Sequence, residues 1–325
     1  MKSIVKKTGK VILWIIGVII SIIILGMLIG FTLQNTYYKK QLKDIKPYGE
    51  LVKVDNKNMH VYSMGSGKET IVLLPGHGVP LPVADFGPLM RELSKKYRVV
   101  TVEHFGTGFS DQTDTPRTSE NYVNEMRTAL DKAGVNPPYI LMPHSISGIY
   151  SEYYAKKYPE EVKGLILLDS TFTTKEIDFP ESVFATFKSA KIIQAIGLQR
   201  LLLSFASDEV LEQNGFAIKK SNGFMQKEID DYKKYMCFSV NNTIIEQLRD
   251  AGESVKQVQD LLFPPNVPVL KIIAKDEVDM KEQEAHMKLL GANAKYVVLE
   301  GTHFIYYDQL KEISRLTDEF IGNLK

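Results

Sequence analysis

The sequence predicts an α/β fold: a doubly wound, mostly parallel sheet of eight strands, with a helical insertion and an N-terminal transmembrane helix. Three observations lead to this prediction. From about residue 49 onward, short apolar runs alternate with segments of helical periodicity, which is typical of βαβ units. The alternation stops between about residues 171 and 265, where helical stretches follow one another. Residues 11–33 contain no charged side chain.

Length and composition exclude several classes of protein. A chain of 325 residues with 44% hydrophobic and 24% charged residues can bury a large core. A net charge of +1 argues against a nucleic-acid-binding groove, so we expect no nucleic-acid partner. The single cysteine, Cys237, excludes an internal disulfide framework and a cysteine-based zinc site.

The N-terminus has the pattern of a retained membrane anchor. Residues 1–10 form a short basic tail, and residues 11–33 would make a helix of roughly 35 Å, longer than a bilayer core of about 30 Å. No small-residue cleavage site follows this run, which disfavours a cleavable signal peptide. Basic residues before the span and a large domain after it predict a single-pass protein of the cell membrane. Residues 34–48 would be a juxtamembrane linker, and residues 49–325 an extracellular domain.

The body of that domain contains eight predicted strands. Helices with apolar residues at i, i+3, i+4 and i+7 connect them, for example Phe86, Leu89, Met90 and Leu93. The strands are Leu51–Val54, Met59–Tyr62, Ile71–Leu74, Val99–Val102, Tyr139–Met142, Gly164–Leu168, Val267–Ile273 and Tyr296–Leu299.

Ser145 is the first candidate for a catalytic residue. It lies between the apolar run Tyr139–Met142 and a Tyr-rich helical segment. A serine on a sharp strand-to-helix turn presents its hydroxyl at the end of the sheet, and the next backbone N–H, that of Ile146, points to where an oxyanion would form. The usual G-x-S-x-G pattern is altered here, with Pro143 and Ser147 at the glycine positions. The alternative interpretation is that Ser145 is an ordinary helix N-cap.

Five segments in order resemble the α/β-hydrolase fold family, over residues 50–325. They are Pro75–Gly78, Glu103–Asp111, Pro143–Gly148, Ala274–Asp279 and Gly301–Phe304. Each follows a predicted strand, where reacting groups gather in open α/β sheets. The resemblance is to members with a helical cap after the sixth strand, here about residues 171–265.

The resemblance implies a Ser-His-acid triad. Ser145 would be the nucleophile and His303 its general base, and the backbone N–H groups of His77 and Ile146 would form the oxyanion hole. The sequence does not decide which acidic residue completes the triad. Loop counting favours Asp276 or Glu277, whereas the alternatives are Asp279 and, at the end of the sixth strand, Asp169. The other histidines are interpreted as structural: His60 as a partly exposed strand residue, His104 as a loop residue, His144 as a residue that packs or hydrogen-bonds locally, and His286 as a helix-surface residue.

The predicted function is therefore serine-dependent hydrolysis of a small carboxylic ester through an acyl-enzyme, without metal or cofactor. Apolar cap residues could line an acyl pocket or form the cap's own core: Phe184, Phe187, Ile192, Ile193, Leu201, Leu202 and Phe205. The alternatives are a peptidase of the prolyl-aminopeptidase kind, which would cleave amides, and a non-catalytic binding protein on the same scaffold.

Overall fold

The computed structural model describes residues 2–206, 217–277 and 279–324. Eight strands form one sheet in the order β1-β2-β4-β3-β5-β6-β7-β8. Strands β1–β2 and β2–β4 pair antiparallel and all other pairs are parallel, which confirms the predicted sheet. The strands are β1 Glu50–Val54, β2 Lys57–Met64, β3 Thr70–Leu74, β4 Arg98–Glu103, β5 Tyr139–Pro143, β6 Val162–Leu168, β7 Val269–Ala274 and β8 Ala294–Leu299.

The described helices follow the predicted alternation. They are α1 Lys2–Leu33, α2 Lys39–Lys43, α3 Pro82–Asp85, α4 Gly87–Leu93, α5 Ser119–Lys132, α6 Ser147–Lys157, α7 Glu181–Ala195, α8 Leu198–Phe205, α9 Gln226–Met236, α10 Asn242–Arg249, α11 Ala251–Gln259, α12 Met280–Leu290, α13 Ile305–Asp308 and α14 Leu310–Gly322. A π-helical segment, Gln34–Tyr38, connects α1 to α2, and short 3₁₀ turns occupy Pro159–Glu161, Lys220–Asn222 and Lys275–Glu277.

The core lies against the central parallel strands, whose residues are apolar and buried on both faces. On one face, α4 and α14 pack onto β3, β5, β6 and β7 through their apolar stripes. The predicted α4 stripe is fully buried, as are Ile313 and Leu316 of α14. Because the parallel register aligns Leu74 with Pro143 and Leu168 with Ile272, these strands end at one edge, where the candidate residues meet.

The chain forms two compact units. The sheet unit contains Pro47–Phe184 and residues 215–325. The N-terminal unit contains the segment up to Lys46 and the segment that begins at Ala185 and includes α8. Residues 10–43 of the N-terminal unit are long and apolar enough to cross a membrane. Of the seven apolar residues predicted for an acyl pocket, only Phe184 is buried, so the exposed ones do not form a cap core.

Candidate active site

Ser145 occupies a strained backbone conformation on the turn between β5 and α6. Its φ is +54°, a left-handed value that costs a non-glycine residue roughly 1–3 kcal/mol. The turn is held from both sides, since Ser145 N–H donates to Leu168 O at 3.2 Å and Gly148 N–H donates to Ser145 O at 3.0 Å. Helix α6 has no side-chain N-cap, so the interpretation of Ser145 as an ordinary cap is wrong.

The altered glycine pattern around Ser145 has a local explanation. Ser147 is fully buried, and its hydroxyl donates to Pro75 O at 2.5 Å, so a small polar side chain fits where a glycine is usual. The position that has no room for a side chain is instead Gly148, where a Cβ would lie 2.5 Å from the Cβ of Ser170. The turn therefore keeps its close packing with the glycine moved by one position.

His303 connects Ser145 to an acid. Its Nε2 lies 3.0 Å from Ser145 Oγ, and its Nδ1 lies 2.6 Å from Asp169 Oδ2. The Asp169 carboxylate accepts a hydrogen bond from His303 Nδ1–H. This leaves Nε2 without a proton, so Nε2 can accept the proton of the serine hydroxyl. Asp169 is held firmly, because its other oxygen accepts the backbone N–H of Ala274 at 2.9 Å. The Asp169 side chain is 7% exposed and that of His303 39%, so the imidazole of His303 can be reached from solvent.

The loop count favoured Asp276 or Glu277 as the partner of His303, but the structure places Asp169 against its Nδ1, and not Asp276. Asp276 is exposed in the 3₁₀ turn after β7, and the Glu277 side chain lies outside the described residues. Asp279 caps α12 by accepting the backbone N–H groups of Lys281 and Glu282. Strands β6 and β7 are neighbours that end at the same edge, so counting along the loops could not tell which one carries the acid.

The Pro75–Gly78 turn runs directly beside Ser145. A Cβ at Gly76 would lie 2.7 Å from His144 Nδ1 and 3.1 Å from Ser145 Cβ, so only glycine fits there. The imidazole of His77 contacts α10, with Nδ1 2.8 Å from Gln247 Oε1. Burial lowers the pKa of His77, which keeps the ring neutral with Nδ1–H as the donor. The turn thus lies beside Ser145 at the edge of the sheet.

His144 supports the loop that carries His303. Burial and the neighbouring His303 lower the pKa of His144 to about 3, so the ring is neutral. Its Nε2–H donates to His303 O at 2.9 Å. This contact agrees with the structural role that was predicted for His144.

A buried carboxyl group, Asp85 of α3, holds the segment after His303. Tyr306 donates its hydroxyl to Asp85 Oδ2 at 2.5 Å and Tyr307 donates to Asp85 Oδ1. Burial raises the pKa of Asp85 to about 6, although hydrogen bonds from Tyr306, Tyr307 and Tyr232 favour the ionised form. Nothing in the local sequence indicated this cluster, because Asp85 lies more than 200 residues from Tyr306 and Tyr307.

The raised pKa of Asp85 predicts a pH dependence of stability. The folded protein holds this proton between the unfolded pKa of about 3.8 and about 6, so the contribution of Asp85 to stability is lost as pH rises through that window, by about 3 kcal/mol in all. In Asp85→Asn that contribution is absent. We expect the Tm difference between wild type and Asp85→Asn to change from pH 4 to pH 7 in favour of the variant. A difference that is constant with pH would contradict the assignment.

The four histidines that the sequence placed in structural roles are all buried: His60, His104, His144 and His286. His286 Nδ1 accepts a hydrogen bond from Lys271 Nζ at 2.7 Å, and its Nε2–H donates to Glu152 Oε1 at 2.8 Å. His60 Nδ1 lies 3.1 Å from a carboxylate oxygen of Glu103. The expectation of exposure is therefore wrong for His60 and His286, because both rings are fully buried against side chains from other segments of the chain. Among the described residues, no group of three or more His, Cys, Asp or Glu side chains could hold a metal ion.

Comparison with known proteins identifies the family. The family model for the alpha/beta hydrolase fold matches residues 70–308, more than half of the chain. The chain is 28% identical over 336 residues to the uncharacterized protein YbdG of Bacillus subtilis (strain 168), covering 98% of this chain and all of the relative. It is 30% identical over 148 residues to a pimeloyl-[acyl-carrier protein] methyl ester esterase of Shewanella woodyi, covering 44% of this chain and 53% of the esterase.

The fold is also that of solved enzymes. The enol-lactonase from Burkholderia xenovorans LB400 superimposes with a TM-score of 0.62 at 16% identity, over 84% of this chain and all of the lactonase. A thermophilic esterase from Thermogutta terrifontis superimposes with a TM-score of 0.60 at 16% identity, over 86% and 98% of the two chains. From the family match and the eight-stranded sheet, the chain belongs to the α/β-hydrolase family.

Proposed function

We propose that the protein is a membrane-anchored serine hydrolase that cleaves a carboxylic ester through an acyl-enzyme on Ser145. The observation that carries the proposal is the continuous pair of contacts from Ser145 Oγ to His303 Nε2 and from His303 Nδ1 to Asp169. A serine hydroxyl is a weak nucleophile until an adjacent, oriented base removes its proton. The positive φ of Ser145 supports the same role, because strained backbone conformations concentrate at functional sites.

The reaction follows from the positions of these groups. Ser145 Oγ attacks the ester carbonyl carbon while His303 Nε2 takes the hydroxyl proton. Backbone N–H groups of Ile146 and His77 would stabilise the oxyanion, and His303 would return the proton to the departing alkoxide as the C–O bond breaks. Water would then attack the acyl-enzyme with His303 again as base. Asp169 orients the imidazole and stabilises its cation.

Covalent labelling tests the nucleophile. A fluorophosphonate reagent should label the full chain in detergent micelles, and labelling should disappear in Ser145→Ala and His303→Ala. The matched control is Ser189→Ala, whose exposed hydroxyl bonds only within its own helix. If a folded wild-type chain is not labelled and does not hydrolyse short esters, it is a binding protein on this scaffold. Cleavage of aminoacyl-prolyl amides without ester cleavage would favour the peptidase alternative.

We also propose that residues 11–33 anchor the chain in the cell membrane, with the sheet unit outside. Apart from Ser21 and Thr32 their side chains are apolar, and nearly all of them are exposed, which a soluble fold would have to cover. Alkaline carbonate extraction should leave the full chain in the membrane pellet. The pair Ile20→Arg with Ile23→Arg should shift it to the supernatant, since each charge at the centre of a span costs about 2.5–3.5 kcal/mol.

The matched control for that experiment is Ile20→Leu with Ile23→Leu, which should stay in the pellet. The exposed side chain Glu160 of the sheet unit reports orientation when it is changed to cysteine, because Cys237 is buried. A membrane-impermeant maleimide should label Glu160→Cys on intact cells. Labelling only after lysis would place the sheet unit inside and contradict the proposed orientation.

A further inference from the structure

The N-terminal unit carries apolar side chains on its surface that lie outside α1. They belong to the end of α7 and to α8, and we call them the apolar ridge: Ile192, Ile193, Leu198, Leu201, Leu202 and Phe205. Leu202 is 62% exposed and Phe205 81%. In α8 the apolar residues recur at i, i+3, i+4 and i+7, so they form one stripe along the helix. An exposed apolar stripe of this kind marks an interaction surface.

The ridge is fixed against α1 by close backbone packing. A Cβ at Gly30 would lie 2.2 Å from Ile196 O, and a Cβ at Gly197 would lie 3.2 Å from Gly30 O. Gly197 also has a φ of +74°, which favours glycine. Small residues that let two backbones approach are typical of helix contacts within membranes.

Polar contacts hold the same junction at the end of the apolar span. Asn35 Nδ2 donates to Ala195 O at 3.1 Å, and Arg200 Nε donates to Gln34 Oε1 at 3.1 Å. The Arg200 guanidinium also lies 4.2 Å from the centre of the Tyr38 ring. Gly30 lies three residues before Leu33, which places the start of α8 roughly 5 Å inside the end of the span. That is the depth at which amphipathic helices lie in a bilayer.

Between α1 and α8 runs an apolar groove of about 510 Å³, lined along α1 from Ile23 to Leu33 and along α8 by Leu198 and Leu201. The segment from Ala185 to Ala206 contains Lys188, Lys191 and Arg200 and no acidic residue. Basic side chains beside an apolar stripe match an anionic headgroup layer above acyl chains. The apolar lining of the groove and the fixed position of the ridge beside the anchor therefore favour lipid as the molecule that contacts both.

We infer that the apolar ridge is a second membrane contact, in which α8 lies in the headgroup and acyl-chain boundary of the leaflet around the end of α1. The inference rests on the proposed anchor, because the ridge reaches lipid only where α1 spans the bilayer. In addition to the anchor, this contact holds the segment after Ala185 in the plane of the bilayer surface.

Site-directed spin labelling of the full chain tests the inference. Labels are placed one at a time through Leu202→Cys, Phe205→Cys, Trp14→Cys and Glu160→Cys, in a Cys237→Ser background, in vesicles of neutral and anionic phospholipid. The rate at which a spin label collides with oxygen is high in lipid, and the rate at which it collides with a water-soluble nickel chelate is high in solvent. The ratio of these two rates, oxygen to nickel, therefore distinguishes a lipid-exposed label from a solvent-exposed one. At positions 202 and 205 we expect an oxygen-to-nickel ratio within about twofold of position 14 and at least about fivefold above position 160.

Each other outcome overturns the inference for a different reason. Solvent-like ratios at 202 and 205 with a lipid-like ratio at 14 would leave the anchor intact and refute the ridge as a lipid contact. Low access to both reagents, with spin–spin broadening, would show that a second copy covers the ridge. A solvent-like ratio at position 14 would refute the anchor, and the ridge contact with it.

Discussion

Ser145→Ala should lower kcat for hydrolysis of a short p-nitrophenyl ester by about 10⁴-fold or more, and His303→Ala should have an effect of similar size. The hydroxyl and the imidazole act as one unit at 3.0 Å, so removing either abolishes the activated nucleophile. The double variant should be no slower than the single ones, because residues that act together are not additive in kinetics. Residual activity would come from binding and from the backbone donors.

Steady-state kinetics on the full chain measures this effect, with Ser189→Ala as the control that should retain wild-type kcat. Thermal unfolding of each variant shows whether the fold is retained. If Ser145→Ala keeps more than about a tenth of wild-type kcat while His303→Ala keeps none, another nucleophile is in use. In that case the proposed acyl-enzyme on Ser145 is wrong.

Asp169→Asn is expected to lower kcat by about 10⁴-fold, whereas Asp276→Asn should change it by less than about twofold. The physical reason is that the Asp169 carboxylate accepts two hydrogen bonds, one from the Ala274 N–H and one from His303 Nδ1–H. An asparagine oxygen can still accept the Ala274 N–H, which turns the amide NH₂ toward His303 Nδ1. His303 Nδ1 must then accept a hydrogen bond, so Nε2 carries the proton and cannot take one from Ser145.

The comparison with Asp276 makes this prediction specific, because both carboxylates follow neighbouring strands and only Asp169 contacts the histidine in the structure. Glu277→Gln extends the control to the other acid predicted from the loop count. The readout is kcat together with KM, since loss of orientation should appear in kcat. A large effect of Asp276→Asn or Glu277→Gln with a small effect of Asp169→Asn would show that the acid of the triad lies in the loop after β7, and would contradict the prediction.

The order of the landmarks along the chain was enough to predict the sheet and to bring Ser145 and His303 to one edge. This worked because each residue directly follows a buried strand, and parallel strands end at the same edge. The apolar stripe of Phe86, Leu89, Met90 and Leu93 was equally predictable, since the 3.6-residue period shows which face of the helix meets the core. The helix long enough to cross a membrane could also be recognised from the sequence, because the length and polarity of an uncharged run are read directly from its composition.

Tertiary structure decided what depends on contacts between distant segments. Asp169 rather than Asp276 faces His303 because β6, not β7, pairs with the strand that carries Ser145. Asp85 meets Tyr306 and Tyr307 across more than 200 residues, and His286 is buried by Lys271 and Glu152. Sequence periodicity reports the local environment of a residue, whereas the partner of a buried polar group is set by packing between elements.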